Sequence, residues 1–183
     1  TIAHAEDEED EDPGGEQSRE PWRKGRAGTS VGRAVHAVLQ SIDLATGEGI
    51  DAAAASQSVA EGVADQASRI VRLVNSARES AAVQEALRSG RYWREVYVGA
   101  EVGGMVVEGF IDLLYESADG YVIVDYKTDS ARDAAAIDRA MERYRIQGAV
   151  YALVLERALG RPVDRVVFVF TEPRTERLVP GLA

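Results

Sequence analysis

The chain of 183 residues is long enough for one domain with its own core. It contains no cysteine, which excludes disulfides, a cysteine zinc site and an iron–sulfur cluster. Its net charge of −10 looks wrong for a nucleic-acid enzyme, but residues 1–20 hold nine acids and one base while the other 163 hold 22 acids and 20 bases, so a near-neutral body can still carry a basic groove. No apolar run is long enough to span a membrane, and the acidic N-terminus lacks a signal-peptide pattern. The chain starts at Thr1 rather than Met and is expected to be a fragment of a longer protein.

Residues 1–25 read as an acidic, disordered linker, with the block Glu6 to Asp12 followed by Pro13-Gly14-Gly15. The alternative role for such a block is to mimic DNA. Residues 21–28 are a basic approach whose Trp22 either anchors the linker or stacks a base. Thr29 or Ser30 caps a helix running to about residue 44, with Val31, Val35, Val38, Leu39 and Ile42 on one stripe and His36 at its edge. A lone histidine there is ordinarily a packed, hydrogen-bonded side chain. Residues 51–63, 62–75 and 77–89 follow as alanine-rich helices, an insertion closed by Gly90. Residues 91–98 then form a first strand. Its Glu95 pairs with Arg91 or Arg94, or belongs to a site.

Strands are expected at residues 105–115 and 121–127, around a turn at Ser117-Ala118-Asp119-Gly120. The first carries Asp112. The second carries Asp125 and Lys127, which share a face while Tyr126 points the other way. If the two strands pair, Asp112 can lie beside Asp125. Two close carboxylates repel unless a cation sits between them, and oxygen ligands suit Mg²⁺ or Mn²⁺. The competing reading is a solvated face or a cross-strand ion pair. Against it, residues 121–124 are almost wholly apolar, and charges at the end of a doubly buried strand need partners.

A turn at residues 129–132 leads into one long helix over 133–158, with a break near Arg143 the alternative. Tyr144, Gln147 and Tyr151 fall on one face of it. Aromatics at that spacing usually belong to a core, but a glutamine among them needs hydrogen-bond partners. Gly160 closes this helix and residues 163–170 form the last strand. Strands interrupted by helices give an α/β fold, a small central mixed β-sheet of about four strands flanked by helices. No phosphate-loop signature for ATP hydrolysis is present.

The segments GRAVH (residues 32–36), GFID (109–112), VDYKT (124–128) and QGAVY (147–151) occur in that order. Together they resemble the RecB-like branch of the PD-(D/E)XK nuclease superfamily, over residues 29–170. Phe110-Ile111 replace the proline that precedes the first acid in the superfamily name, as is common in this branch. The resemblance implies a restriction-endonuclease-like core at residues 26–183. It implies that His36, Asp112, Asp125 and the backbone carbonyl of Tyr126 hold Mg²⁺ or Mn²⁺, and that Lys127 is catalytic. Gln147 and Tyr151 would hold DNA or the catalytic acid and lysine. Glu95 would support the metal ligands or bind a second metal. Lacking cysteines, the chain is similar to the branch members without an iron–sulfur cluster.

The expected function is metal-dependent DNA cleavage within a UvrD/RecB/AddA-like helicase-nuclease that processes double-strand breaks. Its partners would be DNA ends, a helicase domain of the same full-length chain and a second helicase-nuclease subunit. The expected location is the cytoplasm, at the nucleoid. The alternatives are a catalytically silent module that binds DNA or a helicase, and a scaffold whose acids only form ion pairs.

Overall fold

The apolar run at the start of the VDYKT segment sets the centre of the molecule, because a strand without polar side chains must be covered on both faces. In the computed structural model, which describes residues 29–128 and 134–180, that run lies in the middle strand of a five-stranded sheet. The elements are α1 (Ser30–Ser41), α2 (Ile50–Ala60), a 3-10 turn (Ala64–Gln66), α3 (Ala67–Arg78), α4 (Ala81–Ser89), β1 (Tyr92–Val102), β2 (Met105–Glu116), β3 (Tyr121–Lys127), α5 (Ala134–Leu159), β4 (Val163–Phe170) and β5 (Thr175–Pro180). The acidic linker, the basic approach with Trp22 and the turn at residues 129–132 lie outside the described residues.

The strand order is β1-β2-β3-β4-β5. All neighbours are antiparallel except β3 and β4, which run parallel and are joined through α5. Helices α1 to α4 cover one face of the sheet, packing on Leu113, Tyr115, Val122, Val124, Tyr126, Val167 and Val169. Helix α5 covers the other, packing on Ile111, Leu114, Ile123, Val166, Phe168 and Phe170. The α/β class with a mixed central sheet holds, with one strand more than expected.

The extra strand is β5, six residues with two charges and a closing proline. Such a segment fits an edge, where only one side of the backbone is paired. Strand β1 also runs four residues beyond its expected end. It continues because Gly103 and Gly104 take φ of 60° and 82°, a two-glycine turn that folds β2 back along it. Helix α5 is continuous through residue 143. The helix ends follow their chemistry. Thr29 accepts a hydrogen bond from the Gly32 N–H at the start of α1, Ser80 does the same for α4, and Gly90 closes α4 at φ 66°.

Ile123 is fully buried at the centre of β3, beneath α5. Ile123→Ala should therefore destabilise the fold by about 2–5 kcal/mol. Urea unfolding of the variant against the wild type measures it, and a loss below about 1 kcal/mol would contradict the close packing of this layer.

Candidate active site

Strands β2 and β3 pair from Glu116↔Tyr121 up to Leu113↔Val124 and then part. Asp112 and Asp125 sit just beyond that point. They are not a ladder pair. Instead, Asp112 Oδ2 accepts the Tyr126 N–H at 2.8 Å, so this carboxylate fills the gap between the strands. The side-chain alternation of β2 also breaks here. Leu113 packs under α1 to α4 while Ile111, two residues away, packs under α5. Regular alternation would keep them on one face. The Glu95–Asp112 pair is missing from the β1–β2 ladder, and Glu95 has a φ of 50°, uncommon for a residue with a side chain.

On the α1 side, His36 reaches the gap from the edge of the buried helix stripe. Its Nδ1 lies 3.0 Å from Asp112 Oδ1. One ligand atom each from His36, Glu95 and Asp112 fall within 4.8 Å of one another. Burial works against protonation of His36, but the carboxylates of Asp112, Asp125 and Glu95 outweigh it and leave its pKa above the usual value. The Tyr126 ring meets His36 edge-on at 6.1 Å. Both arginines expected to compete for Glu95 have other partners. Arg94 donates to the carbonyls of Leu39 and Ile42 at the end of α1, and Arg91 pairs with Glu116.

On the α5 side, Asp125 is 6% exposed. Its Oδ2 lies 2.6 Å from Lys127 Nζ, an ion-pair contact without the angles of a directed hydrogen bond. Its Oδ1 accepts from Gln147 Nε2 at 3.3 Å. Gln147 Oε1 in turn accepts from Lys127 Nζ at 3.0 Å, and Gln147 Nε2 also donates to the Tyr151 hydroxyl at 3.4 Å. Lys127 Nζ sits 4.2 Å from the centre of the Tyr144 ring. Burial and the Asp112 carboxylate push the Asp125 pKa up to about 6, despite Lys127 and His36. Burial, with the nearby acids, raises the Tyr151 pKa and keeps it a neutral phenol.

The expected residues thus fall into two adjoining groups. His36, Glu95 and Asp112 form one; Asp125, Lys127, Gln147 and Tyr151 form the other. Tyr126, between Asp125 and Lys127 in the chain, joins the two, because its N–H and its ring both meet the first group. A divalent cation fits the first group by donor chemistry, since one imidazole and two carboxylates suit Mg²⁺ or Mn²⁺. It also fits the second by charge. Asp125 is a buried acid whose carboxylate is disfavoured by Asp112, and a nearby cation reverses that.

Thr171 belongs to the site's frame and was not legible in the sequence. Its N–H and Oγ1 both donate to the Lys127 carbonyl, at 2.9 and 3.2 Å, tying β3 to the end of β4. It lies 44 residues away with no pattern of its own.

A family model for the PD-(D/E)XK nuclease superfamily matches residues 15–180. An ATP-dependent helicase/nuclease subunit from Desulforudis audaxviator is 31% identical over 166 residues, spanning 80% of this chain and 13% of that protein. Proteins of the same name from Bacillus cytotoxicus and a Thermoanaerobacter strain are 29% and 25% identical, each over 81% of this chain and 14% of their own length. The chain therefore spans about one seventh of these relatives. A crystal structure of a putative exonuclease from Eubacterium rectale aligns with a TM-score of 0.40 at 17% identity, over 76% of this chain and 58% of that one.

Proposed function

The chain belongs to the PD-(D/E)XK nuclease superfamily, and on that premise we propose that it hydrolyses DNA phosphodiesters with a divalent metal, as the nuclease part of a helicase-nuclease. The observation that carries this reading is the meeting of His36, Asp112 and Glu95 with Asp125, Lys127 and Gln147 where β2 and β3 part. A structural ion pair alone has no need of a second, partly buried acid that repels the first.

His36, Asp112, Asp125 and the Tyr126 carbonyl would hold Mg²⁺ or Mn²⁺, with Glu95 completing or supporting the set. When bound, such an ion supplies a water of lowered pKa and charge neutralisation at the phosphate. Lys127 orients the attacking water and offsets the charge that develops on the phosphate. Gln147 holds the lysine through its oxygen and Asp125 through its nitrogen. Tyr151 keeps the amide in that orientation.

The names of the relatives support a place in a larger helicase-nuclease. In that setting, residues 26–183 would cut strands that a helicase part of the same full-length chain delivers, with a second helicase-nuclease subunit beside it. The substrate would be broken DNA ends at the nucleoid.

Digestion of end-labelled linear and circular DNA with Mg²⁺ or Mn²⁺ tests the reading. Metal-dependent cleavage that EDTA abolishes is expected. Retention of DNA in a gel shift without cleavage by any divalent metal would replace it with a silent DNA-binding module. His36→Ala should weaken Mn²⁺ binding at least about tenfold by calorimetry, with folding checked by circular dichroism. Unchanged affinity in a folded variant would remove His36 from the site and leave an oxygen-only ion.

A further inference from the structure

We propose that Gly109 is a positioning residue, whose missing side chain is the seat for the Tyr151 ring and so sets the reach of Gln147 to Lys127 and Asp125. The consequence for cleavage rests on the function proposed above; the contact itself does not.

A strand interior disfavours glycine, so a glycine there asks for a reason. Strand β2 holds Gly109 in an ordinary extended conformation that any residue could adopt, so conformation is not the reason. Space is. A Cβ at Gly109 would lie 2.7 Å from Tyr151 Cε1, 3.1 Å from its hydroxyl oxygen and 3.3 Å from Cζ. Carbon atoms at 2.7 Å are well inside contact distance, so an alanine must move the ring. Gly99 in β1, one register step away, serves as a contrast. The three atoms nearest a Cβ there would all belong to the Tyr97 side chain, at 3.3 Å and beyond, and Tyr97 is exposed.

The helix cannot simply lift off to relieve the clash. Helix α5 is seated on β4 by Gly148, where a Cβ would already be 3.2 Å from Phe168 and 3.3 Å from Val166. Ala152, Val154 and Leu155 are buried beside Tyr151. The ring therefore gives way. Tyr151 and Gln147 are i+4 neighbours on one helix face, and the Gln147 amide donates to the phenol at 3.4 Å. Losing that acceptor frees the amide to rotate. The same amide holds Lys127 Nζ at 3.0 Å and Asp125 Oδ1 at 3.3 Å. A displacement at Gly109 thus passes through one ring and one amide to the lysine and the buried acid. His36, Asp112 and Glu95 lie outside that chain of contacts and Asp125 at its end loses no charge, so metal binding should suffer far less than turnover.

The test is a double-mutant cycle between Gly109→Ala and Tyr151→Ala, read by melting temperature and by cleavage. Gly109→Ala should lower the melting temperature by roughly 2–10 °C in the wild-type background. In the Tyr151→Ala background, where the ring is gone, it should change it by less than about 2 °C. In cleavage, Gly109→Ala should reduce kcat by about 10- to 100-fold while KM and Mn²⁺ affinity stay within about threefold. It should cause no further loss once Tyr151 is alanine. Gly99→Ala should leave both readouts near wild type. Equal effects of Gly109→Ala in both backgrounds would overturn the proposal. If Gly109→Ala alone does not fold, a folded double variant supports the seat and an unfolded one overturns it. A wild type that cuts no DNA would sink the functional reading, and the melting arm would still decide the contact.

Discussion

Asp125→Asn is expected to reduce DNA cleavage by at least about 10²–10³-fold while the protein stays folded. Asparagine preserves the shape and can still meet the Gln147 amide, so the change removes charge and little else. Two effects on stability oppose each other. Repulsion between Asp125 and Asp112 disappears, which helps the metal-free protein. Lys127 loses its 2.6 Å carboxylate partner in a place where its side chain is only 13% exposed. Gln147 Oε1 and the Tyr144 ring remain to receive the ammonium, which limits that loss. Mn²⁺ affinity should fall with the charge. Cleavage assays, calorimetry and circular dichroism together check the prediction. A variant cutting at the wild-type rate would take Asp125 out of the site.

Lys127→Ala should separate turnover from binding. Cleavage should drop by about 10²–10³-fold with Mn²⁺ affinity kept or slightly raised, because the lysine is not a ligand and competes with the ion for Asp125. A loss of Mn²⁺ binding as large as that of Asp125→Asn would contradict the separate roles. Lys127→Arg should not restore turnover. The ammonium sits between a carboxylate at 2.6 Å, an amide oxygen at 3.0 Å and a tyrosine ring at 4.2 Å. A planar, longer guanidinium cannot occupy that spot without moving one of the three.

The acids and the lysine at this site are what the chemistry proposed above would need. The relatives are about seven times longer than this chain. In the setting proposed above, what reaches this site would be decided by parts of such an assembly beyond it. The two substitutions above address the chemistry alone, and so are independent of that wider setting.

The sequence by itself determines most of the architecture. The apolar run of β3 places that strand in the middle of the sheet, because nothing else satisfies two apolar faces. The threonine before α1 and the glycine after α4 mark helix ends, since caps are local hydrogen bonds between near neighbours. The shared direction of Asp125 and Lys127 follows from strand geometry, and the common face of Tyr144, Gln147 and Tyr151 from helix geometry. Strand β5 was hidden because an edge strand needs only backbone partners, which leave little trace in side chains.

Only the tertiary structure decides what lies between those segments. A regular hairpin would set Asp112 directly across from Asp125. In the fold the strands part there, and Asp112 takes the Tyr126 N–H instead. Glu95 reads as the partner of a neighbouring arginine, and only the fold shows that α1 offers Arg94 its terminal carbonyls. His36 meets Asp112 across 76 residues, and Gln147 meets Lys127 across 20. Periodicity reports on neighbours in the chain. Which faces meet, and how closely a glycine lets them approach, depends on packing between elements, and no local pattern encodes that distance.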